Sequence, residues 1–199
     1  MFRRLSQLNG CEIYAKDGLF GFSHDLLFSE DSWQIRYLVA NSGRRHLPIA
    51  SILLALSVVE EINYDEKIIR VSLTRQQIED GPPLEKHAPV SRRYELMLSE
   101  YFEWGCYWQG GDYAPEDTSL RSANEILSYY VVHNGCHVGS ASELFFDDAR
   151  WKILYLLGYT ADDESMFIVP NLMNSFNWHE KSISIDVSPS ELSKLPSSD

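Results

Sequence analysis

The chain has 199 residues, of which 44% are hydrophobic and 23% are charged, a composition typical of a soluble globular protein. Its formal net charge of −12 repels phosphate backbones and anionic lipid headgroups at long range, which argues against nucleic acid and bare membrane as partners. The pairs Arg44-Arg45 and Arg92-Arg93 are too isolated to form an opposing basic patch.

The cysteines Cys11, Cys106 and Cys136 are odd in number and lack the spacing of a disulfide framework, so we expect reduced thiols. No apolar segment follows Arg3-Arg4, and a signal peptide is therefore not expected. The longest apolar run, 48–59, is too short to span a bilayer. These features predict a cytoplasmic protein without direct membrane insertion.

In chain order, the first predicted strand is Glu12–Ala15, and the Asp17-Gly18 dipeptide after it is typical of a hairpin turn. The stretch 18–39 then contains two strands separated by the acidic turn Glu30-Asp31-Ser32. Apolar and polar side chains alternate from Trp33 onward, which predicts a half-buried strand.

The same pattern is repeated at 136–157. A constant offset of 118 residues pairs Gly21 with Gly139 and Trp33 with Trp151. The further matched pairs are Phe28 with Phe146, Ile35 with Ile153 and Tyr37 with Tyr155. We therefore predict an internal duplication, with both tryptophans on the buried or interfacial side of their hairpins.

Each copy continues with more short strands. Leu47–Ile49 and Met166–Val169 are predicted as fourth strands, and the alternating segment 69–73 matches 183–187 at an offset of 114. Thr74 and Ser188-Pro189 then begin short helices, since both carry a cap residue. About six short antiparallel strands per copy close most easily as a small barrel.

A linker, 79–119, has no counterpart in the repeat. Its segment 91–104 has helical spacing, with a predicted buried stripe of Tyr94, Met97, Leu98 and Tyr101. Three aromatic residues follow that cannot all share this stripe, namely Trp104, Tyr107 and Trp108. They either lock the two barrels together or form an anchor patch for a partner protein.

The predicted fold is thus mostly β: two tandem small antiparallel β-barrels joined by a linker with one α-helix. The predicted domains are 1–78 for the first barrel, 79–119 for the linker with a helix at about 91–104, and 120–199 for the second, degenerate barrel.

The hairpin pattern and the ending 71–78 resemble the PRC-barrel family, named after the cytoplasmic barrel of the photosynthetic reaction-centre H subunit. The residues that carry the resemblance are Gly18, Gly21, Asp25, Phe28, Trp33, Ile35, Arg36, Tyr37, Leu38 and Val39. The second copy departs from this pattern at 152–154 and is similar to a degenerate second barrel, as in bacterial tandem PRC-barrel proteins. The resemblance implies protein docking rather than catalysis, and it supplies no catalytic or cofactor-binding residue.

His133, Cys136 and His137 form the densest group of possible metal ligands. Zinc would require a fourth ligand, and no partner motif supplies one, so we expect no metal or other cofactor.

The leading hypothesis is a non-catalytic protein-binding or scaffold module that docks another protein or a second copy of itself, with Trp104, Tyr107 and Trp108 as the candidate partner-binding residues. The alternative is a sensor that binds a metal or small ligand between the barrels. An enzyme with a site in an inter-barrel cleft is a third and weaker hypothesis, because no catalytic constellation is evident.

Overall fold

The computed structural model describes residues 1–43, 51–84, 90–108 and 120–187, and these residues are mostly β. The strands are β1 (Phe2–Arg4), β2 (Glu12–Ala15), β3 (Gly18–Ser29), β4 (Ile35–Ser42), β5 (Ser51–Ala55), β6 (Val59–Asn63), β7 (Ile68–Val71), β8 (Leu120–Ser122), β9 (Tyr130–His133), β10 (Cys136–Asp147), β11 (Lys152–Thr160), β12 (Ser165–Ile168), β13 (Met173–Asn177) and β14 (Ser182–Ile185). The helices are α1 (Leu5–Leu8), α2 (Arg75–Glu79), α3 (Arg92–Phe102) and α4 (Ala123–Ile126). Thr74 caps α2 as predicted, whereas the predicted strand 47–49 and the predicted helix start at 188–189 lie outside the described residues.

The strands form two seven-stranded sheets with the same order of elements. The first sheet runs β5-β4-β3-β2-β7-β6 with β8 added on β3, and the second runs β12-β11-β10-β9-β14-β13 with β1 added on β10. Each strand of the first sheet occupies the same position in the strand order as the equivalent strand of the second copy. The predicted duplication is therefore confirmed at the level of strand order.

Even an irregularity of the pairing is duplicated. The register of β2 on β3 skips Phe20 between its partners, and the register of β9 on β10 skips Val138, 118 residues later. Such a bulge sharpens the local twist of a strand. Gly21 and Gly139 follow these bulges directly, so the matched glycines of the sequence mark the same bend in both sheets.

The sheets differ in one respect from the fully antiparallel arrangement expected. β2 pairs with β7, and β9 with β14, in parallel, whereas the other pairs with a described register are antiparallel. A parallel pair needs a long connection between its strands, and the intervening strands of each copy supply it without a crossover helix. Among the described residues, β5 and β6 end the first strand order and β12 and β13 end the second, so neither sheet is closed and the two barrels stay a prediction.

The seventh strand of each sheet comes from the other half of the chain. β1 extends the second sheet by pairing with β10, and β8 extends the first sheet by pairing with β3. The same ion pair joins each added strand to its sheet: Arg3 lies 2.8 Å from Asp148, and Arg121 lies 2.9 Å from Glu30. These arginines and acids are themselves related by the 118-residue offset.

The chain divides into two compact units that follow this exchange. The C-terminal unit contains residues 1–6, 33–35 and 122 onward, and the N-terminal unit contains 7–32 and 36–121. The C-terminal unit packs its core around the fully buried side chains of Tyr129 and Phe146.

Trp33 and Trp151 adopt the same unusual backbone conformation, with φ of 58° and 53°. Bulky side chains seldom occupy this left-handed region, so its recurrence marks a constrained turn. Within the C-terminal unit, the Ile35 N–H donates to the carbonyl of Trp151 (2.7 Å), and the Ile153 N–H donates to that of Trp33 (2.9 Å). Trp33 is buried as predicted, and Trp151 is half-buried.

Candidate functional site

Helix α3 lies against the core of the N-terminal unit. Ser91 caps it by accepting a hydrogen bond from the backbone N–H of Tyr94. Its Leu98 is fully buried in a cluster with side chains from the first sheet. The buried members of this cluster are Leu27, Tyr37, Val39, Leu53, Val90, Leu98 and Leu120. The linker helix is therefore part of this unit's core.

The predicted buried stripe of α3 is partly wrong. Leu98 is buried and Tyr94 is half-buried, but Met97 is 49% exposed and Tyr101 42% exposed. Arg92, Glu95 and Ser99 occupy the inner face instead. The helix is thus rotated relative to the predicted orientation, with charged groups inside and large apolar groups outside.

The buried charges are tolerated because they are paired. The Nη1 atom of Arg92 lies 2.7 Å from a carboxylate oxygen of Glu95, and these side chains are only 6% and 1% exposed. The other carboxylate oxygen accepts a hydrogen bond from the Tyr37 hydroxyl at 3.0 Å. A buried ion pair is stable only when further hydrogen bonds complete it, and strand β4 supplies that bond.

Trp104, Tyr107 and Trp108, the candidate partner-binding residues, belong to the N-terminal unit and make contacts within it. The Trp104 ring stacks on Phe102 with a centroid distance of 4.4 Å. The Tyr107 hydroxyl accepts a hydrogen bond from Arg92 at 2.6 Å, and the Arg92 guanidinium lies 5.4 Å from the Trp108 ring centroid. The segment after α3 therefore turns back to cover the buried ion pair.

Arg36 completes this cluster from the sheet. Its guanidinium carbon lies 3.9 Å from the centroid of the Tyr107 ring, close enough for a strong cation–π contact. Arg92 approaches the same ring at 5.3 Å. Two cations, one carboxylate and two tyrosines thus form a single network, which holds the linker on the sheet rather than presenting a reactive group.

Burial is the largest single influence on the pKa of Tyr37, Tyr107 and Arg92. It raises the pKa of Tyr37, and the neighbouring charge of Glu95 raises it further. Burial also raises the pKa of Tyr107, although the hydrogen bond from Arg92 acts in the opposite direction. For Arg92, burial acts to lower the pKa, but the contacts with Tyr107 and Glu95 outweigh it and the net shift is upward. The tyrosines therefore stay neutral and the arginine stays charged.

Alkaline pH should destabilise the protein through Tyr37. The unfolded chain loses this proton above about pH 10, whereas the folded chain retains it, so stability present below that pH is lost as the pH rises. Tyr37→Phe removes the effect. We expect the free energy of unfolding to fall more steeply for wild type than for this variant between about pH 10 and 12, by up to about 1.4 kcal/mol per pH unit. Equal slopes in urea titrations would contradict the buried neutral tyrosine.

The possible metal ligands are engaged elsewhere. His133 donates from Nδ1 to the Ile185 carbonyl (3.2 Å), and its Nε2 faces the Asn134 side-chain amide (2.9 Å). The Nε2 of His137 donates to the Gly139 carbonyl at 2.7 Å, while Cys136 is exposed. In the part of the chain that the structure describes, no cluster of three or more His, Cys, Asp or Glu is arranged to hold a metal ion.

No helix within the described ranges has both the length and the apolar character needed to cross a membrane. A scan against models of known protein families found no match, and a search of curated proteins found no significant match.

Proposed function

We propose that this chain is a non-catalytic, cytoplasmic protein-binding or scaffold module built from two PRC-barrel-like domains, and that it docks a second copy of itself through the outer side of α3. The resemblance of the duplicated hairpin and the shared strand order of the two sheets support the domain type. The exposed side of α3 supports the docking.

The observation that carries the proposal is a patch of large apolar side chains on an anchored helix. Leu96, Met97 and Tyr101 are each more than 40% exposed, and we call these three residues the α3 patch. The inner face of the helix is fixed by the Arg92–Glu95 pair, so the helix cannot turn the patch inward without exposing a buried ion pair. A grouped apolar surface of this kind is typical of a protein interaction site.

The charges beside the patch make it self-complementary. At 100° per residue, Arg93, Leu96, Met97, Glu100 and Tyr101 fall within one arc of about 140°. An antiparallel pair of α3 helices with its two-fold axis between Leu96 and Met97 brings Arg93 opposite the partner's Glu100, twice. Both of these charged side chains are exposed. This arrangement of charges supports a second copy of the chain as the occupant.

The size of the helix predicts a weak dimer. Eleven residues span about 16 Å, so a contact built on α3 falls at the small end of specific interfaces. Trp104, Tyr107 and Trp108 contribute by holding α3 in place, and their direct contact with a partner stays a prediction. We expect rapid exchange between monomer and dimer, set by concentration.

Met97→Glu tests this surface because it places a charge in the centre of the patch. The matched control is Leu19→Glu, at a side chain that is similarly exposed on β3. Light scattering from about 10 µM to about 1 mM, which brackets a weak dissociation constant, should show a rising mass for wild type and for the control. The Met97 variant should stay near 22.9 kDa throughout. A wild-type protein that stays monomeric, or a Met97 variant that associates like wild type, would disprove docking through α3.

A further inference from the structure

The outer face of the second sheet contains an open groove of about 620 Å³, in the range of small-molecule sites. It lies across β9, β14 and β13, within the C-terminal unit. Its lining residues are Tyr130, Val132, Gly135, His137, Ser175, Asn177, Glu180, Ser182 and Ser184. This face is distinct from the α3 patch, and nothing in the docking proposal uses it.

The register of the strands explains the floor of the groove. Val132 pairs with Ser184, and Ser184 pairs with Ser175, so these three form one cross-strand row. In a neighbouring row, Ser182 lies between Tyr130 and Asn177. Side chains at these positions point to the same side of the sheet, because Val131, Ile183 and Ile185, the alternate residues of β9 and β14, are buried. The row of small side chains is what leaves the face hollow.

The first sheet provides an internal comparison, because its equivalent row is filled. In the same register, Tyr14 pairs with Arg70, and Arg70 pairs with Glu61. The Arg70 guanidinium lies 3.5 Å from Glu61 and 5.8 Å from the centroid of the Tyr14 ring. The duplicated fold thus accepts long side chains in this row, and the second copy has replaced them with valine and two serines.

The lining offers hydrogen bonds but little charge. The hydroxyl groups of Ser175, Ser182 and Ser184 belong to the lining, and each can both donate and accept a hydrogen bond. Glu180 uses one carboxylate oxygen to accept from the Asn177 amide at 2.9 Å. The described residues of the lining include neither lysine nor arginine, so they offer no fixed cation to an anionic ligand.

The aromatic ring of Tyr130 lies beside these hydroxyl groups. The Tyr130 ring is 53% exposed, and the edge of His137 supports it at a centroid distance of 4.6 Å. An exposed ring next to an array of hydroxyl groups can cover the apolar face of a pyranose while the array bonds to its hydroxyls. The lining has too few apolar side chains to bind a lipid. Its described residues also provide no cationic side chain to pair with the charge of a phosphorylated ligand.

We propose that this groove is a binding site for a neutral oligosaccharide, with Tyr130 as the stacking platform and Ser175, Ser182, Ser184 and Glu180 as the hydrogen-bonding groups. The site takes a ligand of several hydroxyl groups and no net charge. It would make the chain a saccharide-responsive module, whether or not the protein also dimerises through α3.

The test uses three neutral probes, maltohexaose, cellohexaose and the hexamer of N-acetylglucosamine, and one anionic probe, a chondroitin sulfate hexasaccharide. Each is titrated into the 199-residue chain while amide chemical shifts are recorded. We expect shifts with at least one neutral probe, concentrated at 130–137 and 175–184.

The double substitution S175E/S184R rebuilds the filled row of the first sheet and should weaken binding at least about tenfold. Tyr130→Ala, which leaves the row intact, should weaken it comparably.

The matched control is E61S/R70S, which makes the same exchange in reverse on the first sheet and should leave the affinity at the second sheet unchanged. The proposal is overturned if no neutral probe shifts these amides, if only the sulfated probe binds, or if folded S175E/S184R and Y130A proteins bind as wild type does.

Discussion

Alanine at Gly21 or Gly139 is expected to lower the free energy of unfolding by about 4 kcal/mol or more, an effect that single substitutions rarely reach. A Cβ atom at Gly21 would overlap the carbonyl oxygen of Asn41, and one at Gly139 would overlap that of Tyr159. Both obstacles are backbone atoms of the neighbouring strand, so no change of rotamer relieves them. The bend that follows the duplicated bulge depends on this close approach in both sheets.

Gly105→Ala is the matched control. No atom of the described residues, apart from the chain neighbours, lies within 4 Å of a Cβ built at Gly105, so this substitution should be neutral or stabilise the protein by up to about 1 kcal/mol. Urea unfolding of the three variants measures the difference. A Gly21 or Gly139 variant that unfolds at the wild-type midpoint would contradict the close approach of the neighbouring strand.

Breaking the Arg92–Glu95 pair should be nearly as costly. Glu95→Leu leaves a guanidinium that is almost fully buried without its carboxylate, and loss of one partner of a buried ion pair costs about 3–5 kcal/mol. Removing both charges of the pair together with the Tyr37 hydroxyl should cost far less. The triple variant Y37F/R92M/E95L replaces both charges and the tyrosine hydroxyl with apolar groups, and we expect its stability to lie within about 1.5 kcal/mol of wild type.

The exposed pair Arg70–Glu61 serves as the control for this cycle. Its side chains are more than half exposed, so Glu61→Gln should change stability by less than about 1 kcal/mol. Thermal or urea unfolding that shows equal losses for E95L and E61Q would contradict the inner orientation of Glu95. A triple variant as unstable as E95L would show that the network contributes more than the pairing of its charges.

The duplication could be predicted from the sequence because both copies keep glycine and tryptophan at positions where the backbone geometry is constrained. Gly21 and Gly139 are matched in the sequence, and both lie where another backbone comes too close for a side chain. Trp33 and Trp151 are likewise matched, and both adopt a positive φ. The sequence pattern did not reveal the left-handed conformation, because tryptophan is not a residue that usually signals it.

The orientation of α3 could not be predicted from its own sequence. Helical periodicity favours Met97 and Tyr101 for the inner face and argues against Arg92 and Glu95, since charged side chains are rarely buried. The decisive partner, Tyr37, lies far away in the chain. Only when β4 places its hydroxyl beside Glu95 does the charged face become the inner one.

The exchanged strands show a similar limit. Residues 2–4 and 120–122 stand at the same offset before each copy, and this pattern is equally consistent with pairing inside each copy or across copies. The structure pairs each with the strand of the other copy. Because the duplicated strands β3 and β10 present equivalent edges, local sequence alone does not discriminate between them.

The groove, by contrast, corresponds to a difference between the two copies that is present in the sequence. The pattern of apolar residues does not reveal it, because the residues that differ are polar. The 114-residue offset already aligns Arg70 with Ser184 and Glu61 with Ser175. The exchange of one polar residue for another on an outer face does not suggest a change of function. Its importance appears only when the strand register places the exchanged residues in one row.

Self-docking through α3 is tested most directly by a charge-swap cycle measured by sedimentation velocity over a range of concentrations. Arg93→Glu should abolish association because it sets the introduced carboxylate against the partner's Glu100, and Glu100→Arg should abolish it by opposing two arginines. The double variant R93E/E100R restores opposite charges across the two-fold axis, so its association should return to the wild-type level. Single variants that associate like wild type, or a folded double variant that stays monomeric, would contradict the antiparallel α3 pair.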